Sequence, residues 1–68
     1  MKIFQERLKE SRLASGFTQR QVAGALGISQ PSYIRYENGT SEPTLDNLSK
    51  LADLFDVSVD FLLGRKEY

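Results

Sequence analysis

The chain has 68 residues, 40% of them hydrophobic, and its nine basic and nine acidic residues leave no net charge. This length allows one small domain, whose core would supply only about 3–5 kcal/mol, so a well-packed helical arrangement or a partner subunit is expected. No apolar run approaches the roughly 20 residues that cross a bilayer. The N-terminus lacks an apolar signal region and the chain has no cysteine, so a cytoplasmic location is expected.

The first predicted helix runs from Met1 to Ser15 and stops at Gly16. Phe4, Leu8 and Arg12 recur at helical spacing, and charged residues occupy the other faces. The pattern predicts an amphipathic helix with one face toward a core.

The second predicted helix begins after Thr18, whose hydroxyl can accept a hydrogen bond from an unpaired backbone N–H of the first turn. Gln21, three residues later, can complete a capping box. Gly27 is expected to end this helix in the left-handed conformation, which makes Gly27 and Ile28 the turn.

Ser29 is the expected cap of the third helix, and Pro31 falls in the first turn, where a missing N–H costs nothing. Tyr33 and Tyr36 supply an inward face, and the helix is predicted to close at Asn38-Gly39. Two short helices joined in this way have about the span of a helix-turn-helix whose second helix enters the major groove of DNA.

Two further helices complete an all-α prediction. After a loop over residues 40–43, Thr44 caps an apolar face made of Leu45, Leu48, Leu51, Ala52 and Phe55. Ser58 caps a short last helix that holds Phe61, Leu62 and Leu63 and ends at Gly64. We therefore expect one compact five-helix domain over residues 1–68, with about 1–64 ordered and 65–68 as a polar tail.

The charges divide unevenly between the two halves of the chain. Residues 1–36 hold six basic and two acidic residues, a net charge of +4, whereas residues 37–68 hold three basic and seven acidic residues, a net charge of −4. The basic half contains the predicted helix-turn-helix and could present a positive face to phosphates. A chance distribution of charges is the alternative.

The chain carries an ordered set of motifs: Thr18-Gln19, Val22-Ala23, Leu26-Gly27, Ser29-Gln30, Tyr33, Tyr36-Glu37-Asn38-Gly39, Pro43, Leu48, Leu51-Ala52, Val57-Ser58-Val59-Asp60 and Leu62-Leu63. In this it resembles the phage repressor and Cro-type helix-turn-helix domains of bacteria, the xenobiotic-response-element family. The resemblance implies a lambda-repressor-like five-helix fold that binds double-stranded operator DNA, commonly as a homodimer, and regulates transcription, most often as a repressor. We expect no cofactor, metal, membrane or small-molecule ligand, and a bacterial or phage protein associated with the nucleoid.

The resemblance also assigns roles to the two glutamines that begin the helices. Gln19 would touch a DNA phosphate and brace the glutamine of the reading helix. Gln30 would read a base edge, and its amide can pair with N7 and N6 of adenine at once. Ser29 would cap its helix and also touch phosphate. A solvated polar residue in a first turn is the alternative for each glutamine.

The remaining expected DNA contacts lie further along the third helix and after it. Arg35 could bind guanine or a phosphate, and Ser32 could line the groove. Pro31 could meet a thymine methyl or be purely structural. Asn38 and Thr40 are expected to contact the DNA backbone.

Other residues are expected to be structural. In relatives, an arginine late in the first helix pairs with the glutamate after the reading helix, so the resemblance implies an Arg12–Glu37 ion pair, with two exposed charges as the alternative. The chain departs from the family pattern at Gly24, which weakens a helix by ~1 kcal/mol relative to alanine. It also departs at Ile34, which could contact DNA or pack against Leu45.

Two other classes of function compete with DNA binding. An enzyme is disfavoured because a chain without His or Cys has no imidazole base, no thiolate and no usual zinc ligand set. A protein-binding module of the same fold could act through the acidic half or through the apolar C-terminal helix. Phe61, Leu62 and Leu63 are therefore candidate dimer contacts. The chain is expected to be either a complete regulator or the DNA-binding part of a longer one.

Overall fold

The computed structural model describes residues 1–68 and contains five α-helices and no strand, which confirms the predicted all-α fold. The helices are α1 (Lys2–Ser15), α2 (Gln19–Leu26), α3 (Gln30–Asn38), α4 (Leu45–Phe55) and α5 (Val59–Leu62). None of the five combines the length and the apolar character that a bilayer-crossing helix requires.

The predicted caps form in the structure. The Thr18 hydroxyl accepts a hydrogen bond from the Gln21 backbone N–H at 3.1 Å, and the Gln21 side chain accepts one from the Thr18 N–H at 2.9 Å. Ser29, Thr44 and Ser58 cap α3, α4 and α5 through their hydroxyl oxygens. Between α2 and α3, Gly27 adopts φ 70°, a left-handed conformation that glycine enters without steric cost.

The core draws residues from all five helices. Its eleven buried hydrophobic residues are Phe4, Leu8, Val22, Ala23, Leu26, Tyr33, Tyr36, Leu51, Ala52, Phe55 and Leu62. The expectation that Leu45 belongs to this apolar face is wrong, because Leu45 is 84% exposed. It is the first residue of α4 and projects past the edge of the core, so it provides no buried partner for Ile34.

The end of the chain folds back against α1. The Arg7 guanidinium donates hydrogen bonds to the carbonyl oxygens of Phe61 (2.8 Å) and Lys66 (2.6 Å), and it also pairs with the Glu67 carboxylate at 3.2 Å. Leu62, one residue after Phe61, is completely buried in the core of a single copy. Of the three dimer candidates, Leu62 therefore has no exposed surface to offer a second copy, whereas Phe61 and Leu63 are partly exposed.

A close approach joins α1 to the end of α3. Gly39 follows α3 with φ 82°, and the Gln5 side chain of α1 lies directly on it. A Cβ at Gly39 would overlap the amide of Gln5. The positive φ is the reason that glycine suits this position, because the Gln5 amide is the end of a flexible side chain and could move aside.

Candidate nucleic-acid interface

Helix α3 has one buried and one exposed face. Tyr33 is fully buried and Tyr36 is 8% exposed, and both belong to the core. Pro31, Arg35 and Asn38 are all exposed. Because their spacing is i, i+4 and i+7, these three side chains share the face of α3 opposite the core.

The first turn of α3 is held by two serines. The Ser29 hydroxyl donates to the Ser32 hydroxyl at 2.8 Å and accepts from the Ser32 backbone N–H at 3.2 Å. Ser29 is exposed, and Ser32 and Gln30 are partly exposed at the flanks of the outer face. The structure thus brings Ser29, Gln30, Pro31, Ser32 and Arg35 together on one end of the domain.

The loop after α3 is hydrogen-bonded to the carbonyl oxygen of Arg35. The backbone N–H groups of Gly39, Thr40 and Ser41 all donate to it, at 2.9, 3.1 and 3.3 Å. Asn38 and Thr40 are exposed on either side of this turn. The Arg35 carbonyl oxygen therefore holds the backbone around Asn38 and Thr40 in this turn.

Glu37 is the centre of a buried polar network behind that face. Its carboxylate accepts from Arg12 Nε at 2.7 Å and from Arg12 Nη2 and Gln19 Nε2 at 3.2 Å each. The Tyr33 hydroxyl is a further donor. The side chains of Arg12 and Glu37 are only 10% and 4% exposed, so the expected ion pair forms out of water rather than as two solvated charges.

The pKa values of this network follow from its contacts. Burial alone would raise the pKa of Glu37, but hydrogen bonds from Arg12, Tyr33 and Gln19 outweigh it and hold the pKa below its ordinary value. The hydrogen bond to Glu37 raises the pKa of Arg12. Burial, and then the bond to the carboxylate, raises the pKa of Tyr33. The carboxylate is therefore ionised and the phenol neutral at physiological pH.

The two glutamines do not contact each other as expected. Gln19 donates its amide N–H to Glu37, whereas the Gln30 side-chain oxygen accepts from Arg20 Nε at 3.4 Å. Gln19 and Gln30 thus have different partners in the structure, and the bracing of Gln30 by Gln19 stays a prediction for the complex with DNA. Arg20 takes the place beside Gln30.

A broad concave surface lies between α1, the start of α2 and the start of α3. It is lined in part by Lys9, Gln19, Arg20 and Gln30. Neither Lys9 nor Arg20 has a carboxylate within ion-pair distance, and the same is true of Lys2 and Arg35, whereas the five other basic side chains are paired. All four unpaired cations belong to residues 1–36, so the basic half offers free positive charge.

The sequence analysis missed three features of this region: Lys9 near Gln30, Arg20 near Gln30, and the bond from Tyr33 to Glu37. The first two have no local signal, because only the packing of α1 and α2 against α3 brings these residues together. The Tyr33–Glu37 bond is different. Its signal is present in the sequence, since residues four apart on a helix lie side by side.

Comparison with known proteins gives one family and several relatives. Residues 8–62 match the family model described as helix-turn-helix. The cryptic phage CTXphi transcriptional repressor RstR of Vibrio cholerae is 49% identical over 65 residues, which cover 96% of this chain and 57% of that protein.

Two relatives from Bacillus subtilis match over similar lengths. The SPbeta prophage-derived uncharacterized HTH-type transcriptional regulator YonR is 46% identical over 61 residues, 90% of this chain and 56% of that protein. The transcriptional regulator ImmR is 42% identical over 62 residues, 91% of this chain and 49% of that protein. The chain thus spans about half the length of these relatives.

Proposed function

The chain belongs to the helix-turn-helix family, and we propose that it binds specific sequences of double-stranded DNA through α3 in the major groove and thereby regulates transcription as a repressor. The relatives support this proposal, since the one from Vibrio cholerae is named a transcriptional repressor and the two from Bacillus subtilis are named transcriptional regulators. The proposal implies that the protein acts in the cytoplasm at the nucleoid.

The outer face of α3 is the observation that carries the proposal. Pro31, Arg35 and Asn38 project away from the core, and Gln30 and Ser32 flank them. A major groove about 12 Å wide admits one α-helix with such a face. Gln30 and Arg35 have the donor groups that read base edges, and Pro31 offers an apolar surface to a thymine methyl.

Phosphate contacts would surround this face. Lys9 and Arg20 supply free positive charge on one side, and Gln19 begins α2 beside them, where backbone N–H groups and the helix dipole favour an anion. Ser29, Asn38 and Thr40 supply polar groups nearer to α3 and the loop after it. Such contacts fix the register of the protein on the duplex without reading its sequence.

We further propose that two copies bind together on DNA. Of the three C-terminal candidates, Phe61 and Leu63 remain partly exposed. A two-fold pair would place the α3 helices ~34–36 Å apart, one turn of the duplex, so that each copy reads one half of a pseudo-palindrome. Shortening or lengthening the spacing between half-sites by about half a helical turn should then abolish tight binding.

Salt-dependent binding to duplex DNA tests the proposed function. We expect the logarithm of the binding constant to fall with the logarithm of salt concentration at about 0.9 per phosphate neutralised. Lys9→Met should lower that slope by about one contact. Lys50→Met is the matched control, because Lys50 lies on α4 and already pairs with Asp46. Absence of binding at low salt would overturn the proposal and favour a protein-binding module.

A further inference from the structure

The contact between Arg20 and Gln30 constrains what Gln30 can offer to a ligand. Arg20 is exposed and has no carboxylate partner, and its Nε lies 3.4 Å from Gln30 Oε1. Gln19, the other amide nearby, is turned inward to Glu37. Arg20 is therefore the side chain that is hydrogen-bonded to Gln30 in the structure.

The chemistry of arginine determines which end of the Gln30 amide is held. A guanidinium carries only hydrogen-bond donors, so the atom that faces it must be the amide oxygen. The Nε2 group keeps its two N–H donors available for another acceptor. Gln30 thus presents donors, while its acceptor is turned toward Arg20.

The two purines differ in how they meet such a side chain. Adenine shows N7 as an acceptor and N6 as a donor, so a bidentate pair with glutamine needs the amide oxygen as well as the nitrogen. Guanine shows two acceptors, N7 and O6, and a donor-only group satisfies them. Holding the oxygen of Gln30 therefore favours guanine over adenine.

We propose that Arg20 is a positioning residue that makes Gln30 a donor-only reader and sets its preference to guanine rather than adenine. The inference rests on the proposed function, since it concerns the same interface. The remaining nitrogens of Arg20 stay free to donate to a DNA phosphate, which would hold the guanidinium beside Gln30 in the complex.

Selection of binding sites from random duplex DNA tests this inference. Gln30→Ala identifies the base pair that Gln30 reads, because preference should be lost at that position alone. We expect the wild-type protein to select guanine there. Arg20→Met, which keeps a long side chain and removes every donor, should shift the ratio of guanine-site to adenine-site affinity toward adenine by about tenfold.

Lys9→Met is the matched control, because Lys9 lines the same concave surface but is not hydrogen-bonded to Gln30. It should weaken binding to guanine and adenine sites equally. In the free protein, Arg20→Met should also increase the mobility of the Gln30 side-chain amide measured by NMR relaxation, and Lys9→Met should not.

Failure of the proposed function and failure of the Arg20 role give different results. If the wild-type protein enriches no sequence and binds no duplex, the proposed function fails. If it binds a defined site but already prefers adenine at the Gln30 position, the positioning role of Arg20 is overturned while the proposed function stands. That role is also overturned if Arg20→Met only weakens binding and leaves the ratio of guanine-site to adenine-site affinity unchanged.

Discussion

The hydroxyl of Tyr33 donates a hydrogen bond to the carboxylate of Glu37 one turn later on the same helix. The same carboxylate binds Arg12 from α1 and Gln19 from α2. Glu37 therefore joins three helices at one buried point directly behind the outer face of α3. The stability of the domain should depend strongly on this junction.

Neutralising Glu37 should strongly destabilise the domain. Glu37→Gln leaves the buried Arg12 guanidinium without its counter-charge, and breaking a buried pair in this way costs about 3–5 kcal/mol. Urea unfolding measures the change. Glu42→Gln is the control, because Glu42 is exposed and unpaired, and it should change stability by less than about 0.5 kcal/mol. Equal effects of the two substitutions would contradict the structural role of Glu37.

Removing the hydroxyl of Tyr33 should cost more than removing that of Tyr36. Tyr33 donates to a charged carboxylate, and such a bond contributes about 1.5–3 kcal/mol. Tyr36 accepts from the neutral Asn47 amide at 3.2 Å, a bond of about 0.5–1.5 kcal/mol. Denaturant unfolding of Tyr33→Phe and Tyr36→Phe compares the two. The reverse order would show that the bond to Glu37 is not a stabilising one.

Acid should destabilise the folded domain through Glu37. Its pKa lies below the ordinary 4.5 when folded, so the unfolded chain binds the proton more tightly. The contribution is fully present above about pH 4.5 and is lost as the pH falls through the lower folded pKa. Unfolding free energies measured between about pH 6 and 2 should therefore fall less steeply for Glu37→Gln than for the wild-type protein. Parallel curves would exclude Glu37 as the group responsible.

Gly24→Ala should stabilise the protein. Gly24 lies within α2, is exposed, and has no neighbouring atom within 4 Å of an added Cβ. Alanine should therefore gain about 1 kcal/mol and raise the melting temperature by roughly 4–8 °C. Gly27→Ala is the comparison: its left-handed φ of 70° should make alanine destabilising there. A lower melting temperature for Gly24→Ala would contradict the open surroundings of this residue.

Arg35 should read a base rather than a phosphate. It shares the outward face of α3 with Pro31, at the centre of the exposed surface. Arg35→Ala should then reduce discrimination between specific and generic duplex by about 1–3 kcal/mol and leave the salt slope of generic binding unchanged. A fall in that slope of about 0.9, with specificity intact, would instead assign Arg35 to the DNA backbone.

The helices could be predicted closely from the sequence because their end signals are local. Thr18 with Gln21, and Ser29 with Pro31, act over three residues or fewer, and each formed as expected. The end of α4 is not marked in this way, because Asp56 adopts the left-handed conformation that glycine usually supplies. Aspartate tolerates the left-handed conformation better than most residues, but an aspartate in the sequence does not by itself predict the end of a helix.

The side-chain contacts of the interface were harder to predict because they depend on how helices pack. The resemblance to a family correctly implied the Arg12–Glu37 pair. It also suggested a contact between Gln19 and Gln30, but a buried carboxylate competes for Gln19 in three dimensions. Leu62 is likewise indistinguishable from Phe61 and Leu63 in the sequence, and only its place in the core separates it from a surface residue.

The junction at Glu37 also bears on how DNA would affect the rest of the molecule. Since the Glu37 carboxylate adds bonds to α1 and α2 to the core contacts of α3, we expect a partly unfolded chain that has lost α1 to hold α3 less firmly. Binding and global folding are then thermodynamically linked. A saturating operator duplex should protect backbone amides of α5 from hydrogen exchange as strongly as those of α3, although α5 lies outside the proposed DNA-binding face.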